Sequence, residues 1–417
     1  MLRISSLRFV FYSPEKSVVT QVRELSVSPS TDLSDLVLAL PEGNYKLVVI
    51  ANPTPKLVAR TAVGSPLSQL TGYEHYYTDE LATQGSQLTV SLLNEQGPVT
   101  VTSAAFSSTT PQVRIQLESV LARVLVYGEP RLAGGAKRGS APAGYVLSPQ
   151  ARYTAPLRPL GLLRTGGSEV AGDGSHPEDR YPTSRMCQEW KDSAPRSLTE
   201  LLSHFALDRM TSHEGGEDIY LARLLPDEQA LATAISNIHA YARETTLPPT
   251  AYLVGALPSL VIRFPYIPGG LTLRENEGWV SFRGKYYTES QMKEWIRSDD
   301  FDDSTLAEAV KAARINEDSF TAPFEKGDLR FYYRGYNYYV VPIRHFDDTK
   351  APTKTSIGRY GIVRGAEYRI HLTQILRPGT PVPPDLTADL TPVAEEKNVH
   401  AIVSVRPIVV HSSEIHI

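Results

Sequence analysis

Asp299, Asp300, Asp302 and Asp303 form the densest group of carboxylates in the chain. A loop built for Ca²⁺ gathers such oxygens, but it also needs a glycine at its sixth position and a bidentate glutamate at its end. Both are missing here. The run stands just ahead of Thr305 and Glu308, where acidic residues are favoured by capping and by the helix dipole. His213-Glu214 and His345-Phe346-Asp347-Asp348 hold fragments of an acid-base or metal set. A metalloprotease helix would need two histidines four apart around the glutamate, and neither stretch has them. Cys187 is the single cysteine, which excludes an internal disulfide framework and a multi-cysteine metal site. With no histidine beside it, Cys187 reads as a small apolar residue, not a nucleophile. There is no Gly-x-Ser-x-Gly elbow, phosphate loop or dinucleotide fingerprint. A glycosidase pair needs only proximity in space, and nothing nominates one. No catalytic residue, metal ligand or cofactor is assigned, and the chain is read as a non-enzyme.

The elements that would position any site are mostly strands. Leu7, Phe9 and Phe11 alternate with Arg8, Val10 and Tyr12 before Ser13-Pro14 ends the run. Leu36, Leu38 and Leu40 alternate again, Pro41 to Asn44 supplies a turn, and Tyr45 to Ala51 continues, which predicts a hairpin. Strands are also expected at Gln87 to Leu92, Val99 to Ala104, Val113 to Leu117 and Leu121 to Tyr127. Gly-, Ser- and Pro-rich stretches at Arg131 to Ser148 and Thr165 to Pro182 suggest a division into residues 1–164 and 165–417. The second part is more helical. Ser197 to Phe205 and Pro226 to Arg243 read as helices, the latter with Pro226, Asp227 and Glu228 in its first turn. Thr288 and Gln291 form a capping-box pattern ahead of Met292, Trp295 and Ile296. Phe331 to Ile375 reads as two strands joined by a long polar loop, with Tyr368, Ile370 and Leu372 on one face and Arg369, His371 and Thr373 on the other.

Composition narrows the class. A length of 417 residues suits two large domains, each able to bury a core. The net charge of −4, with Lys and Arg scattered, gives no basic face for nucleic acid. No apolar run is long enough for a membrane-spanning helix, and no signal peptide is visible. With 22 Tyr against 11 Phe and abundant Ser and Thr, a mature, trimmed surface protein is expected. The C-terminus is the most informative part. Val399, Ala401, Val403 and Val405 alternate with His400, Ile402, Ser404 and Arg406, then Pro407 interrupts and Ile408 to Val410 is apolar. Such a segment after the Pro-rich connector of Pro378 to Pro392 is either the last strand of its own sheet or a strand offered to another subunit.

Tyr338 to Phe346, Gly358 to Arg364 and Tyr368 to Ile370, with Gly284 to Thr288 upstream, resemble the C-terminal domain of the Bacteroidetes fimbrillins, particularly the minor (short) fimbria group. Leu7 to Tyr12, Pro41 to Pro53 and Val113 to Val126 are similar to the first domain of that family. The resemblance implies a mainly β fold of two transthyretin-like antiparallel β-sandwich domains, with a few short helices in the second. It implies a lipoprotein precursor whose mature form is a fimbrial subunit at the cell surface, attached to the outer membrane. Family members lose an N-terminal strand to an arginine-specific protease, and the C-terminal strand of the next subunit fills the groove. By this resemblance Leu7, Phe9 and Phe11 lie near the acceptor groove, and Val399, Ala401, Val403, Val405, Ile408 and Val410 form the donor strand. The implied partners are other fimbrial subunits, with host proteins or glycans as further ligands. Gly365 and Pro407 stand where the family often has Asn and Trp, which leaves room for an accessory, adaptor or tip subunit. The alternative is a carbohydrate-binding surface lipoprotein of related fold, with Tyr286, Tyr287, Tyr332, Tyr333 and Tyr336 stacking on sugars.

Overall fold

The first strand, β1 (Ser6–Tyr12), is buried on both faces, which is why its polar alternates need partners. Leu7, Phe9 and Phe11 enter a core, while on the other face Arg8 forms an ion pair with Glu24 and donates from Nε to Thr61 Oγ1 at 2.9 Å. The computed structural model describes residues 3–28, 30–31, 33, 35–84, 88–107, 113–158, 184–190, 192–206, 222–231, 237–345, 360–384, 398–408 and 411–416. After β1 come β2 (Val19–Ser26), β3 (Asp35–Val37), β4 (Tyr45–Ala51), β5 (Leu92–Asn94) and β6 (Val113–Ser119). Further on are β7 (Leu121–Tyr127), β8 (Gly144–Ser148), β9 (Tyr241–Arg243), β10 (Ser259–Ile267), β11 (Trp279–Phe282) and β12 (Lys285–Thr288). Then follow β13 (Phe324–Lys326), β14 (Leu329–Tyr332), β15 (Tyr336–Pro342), β16 (Ala366–Ile375), β17 (Val399–Pro407) and β18 (His411–His416). The protein is mainly β.

Its largest sheet has the order β2-β1-β4-β5-β6-β18-β3, with Val99–Val101 also pairing to β4. The edge strand β2 carries Arg23 and Glu24, charges that discourage edge-to-edge association. A second sheet sets β16 between β7, which runs parallel to it, and β17, which runs antiparallel, with β9 beyond β7. β7 serves two cores. Leu121 and Leu125 face the core of the first sheet, while Ala122, Val124 and Val126 face a second core with Tyr368, Ile370 and Leu372 of β16. Burial on both faces explains its almost continuous apolar run. Arg123 interrupts that run and is matched by the Glu367 carboxylate on β16. A third sheet pairs β10 with β8 on one side and β15 on the other. Strand pairing therefore crosses the expected 1–164/165–417 boundary: β7 and β8 join strands of the C-terminal half, and β18 joins the sheet of the N-terminal half.

Between β10 and β15 the chain builds a smaller unit with its own apolar cluster. Its sheet has the order β12-β11-β14-β13. Two helices cover it, α1 (Glu289–Ser298) and α2 (Ser304–Ala312), burying Met292, Leu306 and Val310. α1 begins as the sequence predicts. Thr288 Oγ1 accepts from Gln291 N–H at 3.1 Å and Gln291 Oε1 accepts from Thr288 N–H at 2.9 Å, closing the capping box. The acidic run is used the same way, since Asp303 Oδ1 caps α2 by accepting from the N–H groups of Thr305 and Leu306. Its bond to Lys285 and its cap bonds hold the Asp303 carboxyl well below the usual carboxylate range.

Several local expectations are corrected. The two strands read in Phe331 to Ile375, expected as a hairpin, meet among the described residues only at the antiparallel bridge of Arg344 with Tyr360; beyond it they diverge, because β15 pairs with β10 and β16 pairs with β7 and β17. The hairpin expected around Pro41 to Asn44 is also absent, since β4 pairs with β1 and β3 lies at the far end of the sheet. Of the helix expected over Pro226 to Arg243, Leu231 is helical and residues 232–236 lie outside the described residues, while the C-terminal part forms instead a 3-10 turn at Ile238–Ala240 and β9. In that C-terminal part, pairing at the sheet edge beside β7 overrides local helix signals. Three pairings expected to be antiparallel run parallel: β7 with β16, Arg131–Leu132 with β16, and β3 with β18.

Candidate functional site

The two ends of the chain meet at β18. This strand runs antiparallel to β6, with Ile415 opposite Val113, Ser413 opposite Ile115 and His411 opposite Leu117. On its other side β3 runs parallel to it, Asp35, Leu36 and Val37 standing opposite Glu414, Ile415 and His416. Among the described residues, β18 alone ties β3 to the sheet. β6 has one core face: Val113, Ile115 and Leu117 are buried, whereas Arg114 and Gln116 are exposed. On β3, Leu36 is buried and Val37 is 78% exposed. The slot between β3 and β6 thus joins a row of buried aliphatic side chains to two rows of backbone groups that need a strand between them.

The approach to the slot is anchored. β17 lies against β16 from Ala366 opposite Pro407 to Ile375 opposite Val399. Ile408 then passes into the core of the first sheet, and its N–H donates to Gly365 O at 2.7 Å. Gly365 adopts φ +68°, which an L side chain resists, and it lies against Glu118 and Ser119 of β6. Two buried ion pairs brace this crossing. Arg158 Nε donates to Glu118 Oε1 at 2.8 Å, and Arg364 Nε donates to Glu244 Oε2 at 2.9 Å. Arg364 also donates to the carbonyls of Pro156 at 2.8 Å and Ala155 at 2.7 Å. Burial pushes the Glu118 carboxyl up to about 7, outweighing the pull of the Arg158 guanidinium.

Beside this crossing, the Tyr368 hydroxyl accepts from Val363 N–H at 2.7 Å and shares a hydrogen bond with His345 Nδ1 at 2.8 Å. Burial with the Arg158 charge lowers the His345 pKa to about 4. His345 is therefore a neutral structural partner. Its folded pKa is depressed below the ordinary 6.5, so the stability it contributes is present above 6.5 and is lost as pH falls toward 4. Glu118, raised to about 7, gains stability as pH falls and so opposes this loss in any one protein. The His345 contribution is read by urea titration as the stability of the wild type relative to His345→Gln, which should fall by up to about 3 kcal/mol across that window. Parallel pH profiles of the two proteins would assign the acid loss to other groups.

The sequence-assigned positions fall in three places. Leu7, Phe9 and Phe11 are fully buried in the first core on β1, which is flanked by β2 and β4 and lies well away from the slot. Val399 is buried, and Ala401, Val403 and Val405 pack half-buried on the second core. Ile408 is buried in the first core, and Val410 lies outside the described residues. Sequence reasoning missed β3, β6 and β18 as a unit. The only signal was the alternation of Val113, Ile115 and Leu117, which demands cover without saying from where. Of the polar clusters, His213-Glu214 and Phe346 to Asp348 lie outside the described residues, and Cys187 sits in the short helix Arg185–Glu189. Among the described residues, no three His, Cys, Asp or Glu side chains gather as a metal site.

The tyrosines considered for sugar stacking have occupied faces. Tyr332 is buried and stacks on Trp279 with ring centroids 3.7 Å apart, and Tyr286 stands edge-on to the same indole at 5.5 Å. Tyr287 packs edge-on to Trp295, and Tyr336 lies under the Arg263 guanidinium. Tyr333 contacts Phe331 and the Arg334 guanidinium.

Comparison with known proteins bears on this C-terminal region. Residues 330–414 match the family model described as major fimbrial subunit protein type IV, fimbrillin, C-terminal. No curated protein matches the chain. Among solved structures, a fimbrilin (fimA) from Porphyromonas gingivalis W83 is 14% identical, with 97% of this chain and 91% of that chain covered and a TM-score of 0.43. A candidate cell adhesion protein from Parabacteroides distasonis ATCC 8503 is 13% identical, with 97% and 94% covered and a TM-score of 0.43. The matched segment runs from β14 to β18 and so contains the crossing at Gly365, the β16–β17 pair and the strand that fills the slot. Residues 330–414 of this chain are thus similar to the C-terminal part of the fimbrillins.

Proposed function

We propose that the chain is a structural subunit of a cell-surface fimbrium, joined to neighbouring fimbrial subunits by exchange of an extended strand. One observation carries the reading: the slot between β3 and β6 is filled by β18, which follows β17 closely and, among the described residues, pairs with these two strands alone. Departure of β18 would bare the buried face of β6 and the ladder edges of β3 and β6, a surface that needs a partner strand. In this reading the slot is the acceptor, and β18, delivered by the segment holding Val399, Ala401, Val403, Val405, Ile408 and Val410, is the donor. Leu7, Phe9 and Phe11 support the acceptor indirectly, as part of the shared core. The role is structural, not catalytic. An accessory, adaptor or tip position, anchoring at the outer membrane, and contacts with host proteins or glycans rest on the family resemblance alone. The occupied faces of Tyr286, Tyr287, Tyr332 and Tyr336 give the sugar-binding alternative no support.

The reading is tested by opening the slot in the full-length chain. Ser413→Pro removes an N–H from a strand with a neighbour on each side and should free β18. A synthetic peptide of residues 405–417 is expected to form a one-to-one complex with this variant on a sizing column and to raise its thermal midpoint by several degrees. If the variant forms no complex and gains no stability, strand exchange is rejected.

A further inference from the structure

The sheet that holds β16 ends in a long edge strand. β17 runs over nine residues and, among the described residues, pairs with β16 alone. The N–H and C=O groups of alternate residues along it therefore point away from the sheet, to where a further strand would lie. Proteins ordinarily blunt such an edge with charges, proline or a very short strand. The edge strand β2 of the first sheet follows that rule, with Arg23 and Glu24 along it. β17 does not, for from Val399 to Val405 it holds no Lys, Arg, Asp, Glu or Pro. Its inner row, Val399, Ala401, Val403 and Val405, packs on the second core. On the opposite face Ile402 is 61% exposed, a large apolar side chain near the middle of an open edge. Ile402 stands opposite His371 of β16, whose ring stacks on Tyr127 of β7 at 4.8 Å. A stripe of large side chains thus crosses the sheet and stops at the edge.

We propose that this edge receives the β17 of a second copy of the chain, in antiparallel pairing, so that the sheet continues across a two-fold axis. The occupant follows from self-complementarity. A two-fold axis normal to the sheet keeps every side chain on its own face, so each residue meets one an even number of positions away. Centred on Ile402, the pairing sets Ile402 on its own copy, Ala401 on Val403, Val399 on Val405 and His400 on Ser404. Aliphatic then meets aliphatic along the inner row, and the exposed Ile402 is covered. Arg406 meets Asn398, so no like charges are opposed. Moving the axis by one residue sets Ile402 against His400 or Ser404 and loses that cover. The edge belongs to the second sheet, apart from the slot between β3 and β6. No strand has to leave its own subunit, so the dimer does not depend on strand exchange.

Sedimentation equilibrium of the full-length chain tests this, with a concentration-dependent dimer expected for the wild type. Ile402→Lys sets two ammonium groups against each other at an exposed position and should weaken the dimer at least ten-fold with the thermal midpoint unchanged. Ile402→Val should leave it intact. Cross-linking reads the register. In a Cys187→Ala background, Ile402→Cys should form an intermolecular disulfide at least ten-fold faster than Arg406→Cys, because the axis brings the two 402 positions within disulfide reach and holds the two 406 positions apart. A wild type that stays monomeric at about 100 µM overturns the edge dimer. So does an Ile402→Lys chain that dimerises like the wild type, as a strand-exchanged dimer would, or equal cross-linking at the two positions. Failure of the Ser413→Pro chain to bind peptide would reject strand exchange and leave the edge dimer standing, so the two readings fail separately.

Discussion

Replacing Arg364 by alanine is expected to destabilise the fold by about 3–5 kcal/mol, the usual cost of breaking a buried ion pair by removing one partner. Arg364 is 2% exposed and Glu244 is 3% exposed, so water cannot solvate the carboxylate left behind. The carbonyls of Pro156 and Ala155 would lose their donors as well. A double variant, Arg364→Met with Glu244→Leu, removes both charges at similar volume and should recover most of the loss, with the two carbonyls accounting for the rest. Urea denaturation of the three proteins measures this directly. If Arg364→Ala loses less than about 1 kcal/mol, the pair is not buried as described. The position has a functional consequence too. Arg364 precedes Gly365, which receives Ile408 where the chain crosses from β17 toward the slot. Loosening this crossing should make β18 easier to displace, so the variant is expected to take up the 405–417 peptide more readily than the wild type at equal temperature.

The second large effect is expected at Trp279, where alanine should cost about 3–5 kcal/mol. This indole is completely buried, donates from Nε1 to Tyr266 O at 3.0 Å and stacks on Tyr332 with rings 7° from parallel. Trp279 lies on β11 of the inserted unit, yet its ring belongs to the second core, so it fastens the unit to the sheet of β10. Its loss should therefore do more than leave a cavity. Limited proteolysis is expected to cut first around residues 268–278, between β10 and β11, in Trp279→Ala and not in the wild type. Trp279→Phe should fall between the two, because it keeps an aromatic partner for Tyr332 while removing one of the two donors to the Tyr266 carbonyl, which retains Asn337 Nδ2 at 3.2 Å. Equal protease resistance in wild type and Trp279→Ala would place the fastening elsewhere.

Much of the local structure was legible because it depends on near neighbours. The capping box of Thr288 and Gln291 is a contact between residues three apart, and it forms as read. The alternation in β16 separates buried Tyr368, Ile370 and Leu372 from half-buried Arg369 and His371, again as read. The failures share one cause. Pro41 to Asn44 has turn chemistry, and Tyr45 OH does bond back to Pro41 O at 3.0 Å, yet the flanking strands do not pair. A turn residue specifies a bend; whether the chain returns as a hairpin depends on what else competes for the strand edge. For β4 the competitor is β1, which pairs with it from Leu7 opposite Ala51 to Tyr12 opposite Lys46.

The sequence by itself determined that β1, β4, β6, β7, β16 and β17 are strands, which face of β6 and of β16 is buried, where α1 begins, and that the C-terminal region resembles the fimbrillins. Those properties reside in side-chain types and short spacings. Tertiary structure alone decided the pairings: β15 and β16 in different sheets, β7 shared between two cores, β17 held against β16, and β18 set into the slot between β3 and β6. The physical reason is that sheets are joined by backbone hydrogen bonds, which are nearly the same for every residue type. Alternation states that a strand needs a neighbour on one face, and only the folded chain supplies which one.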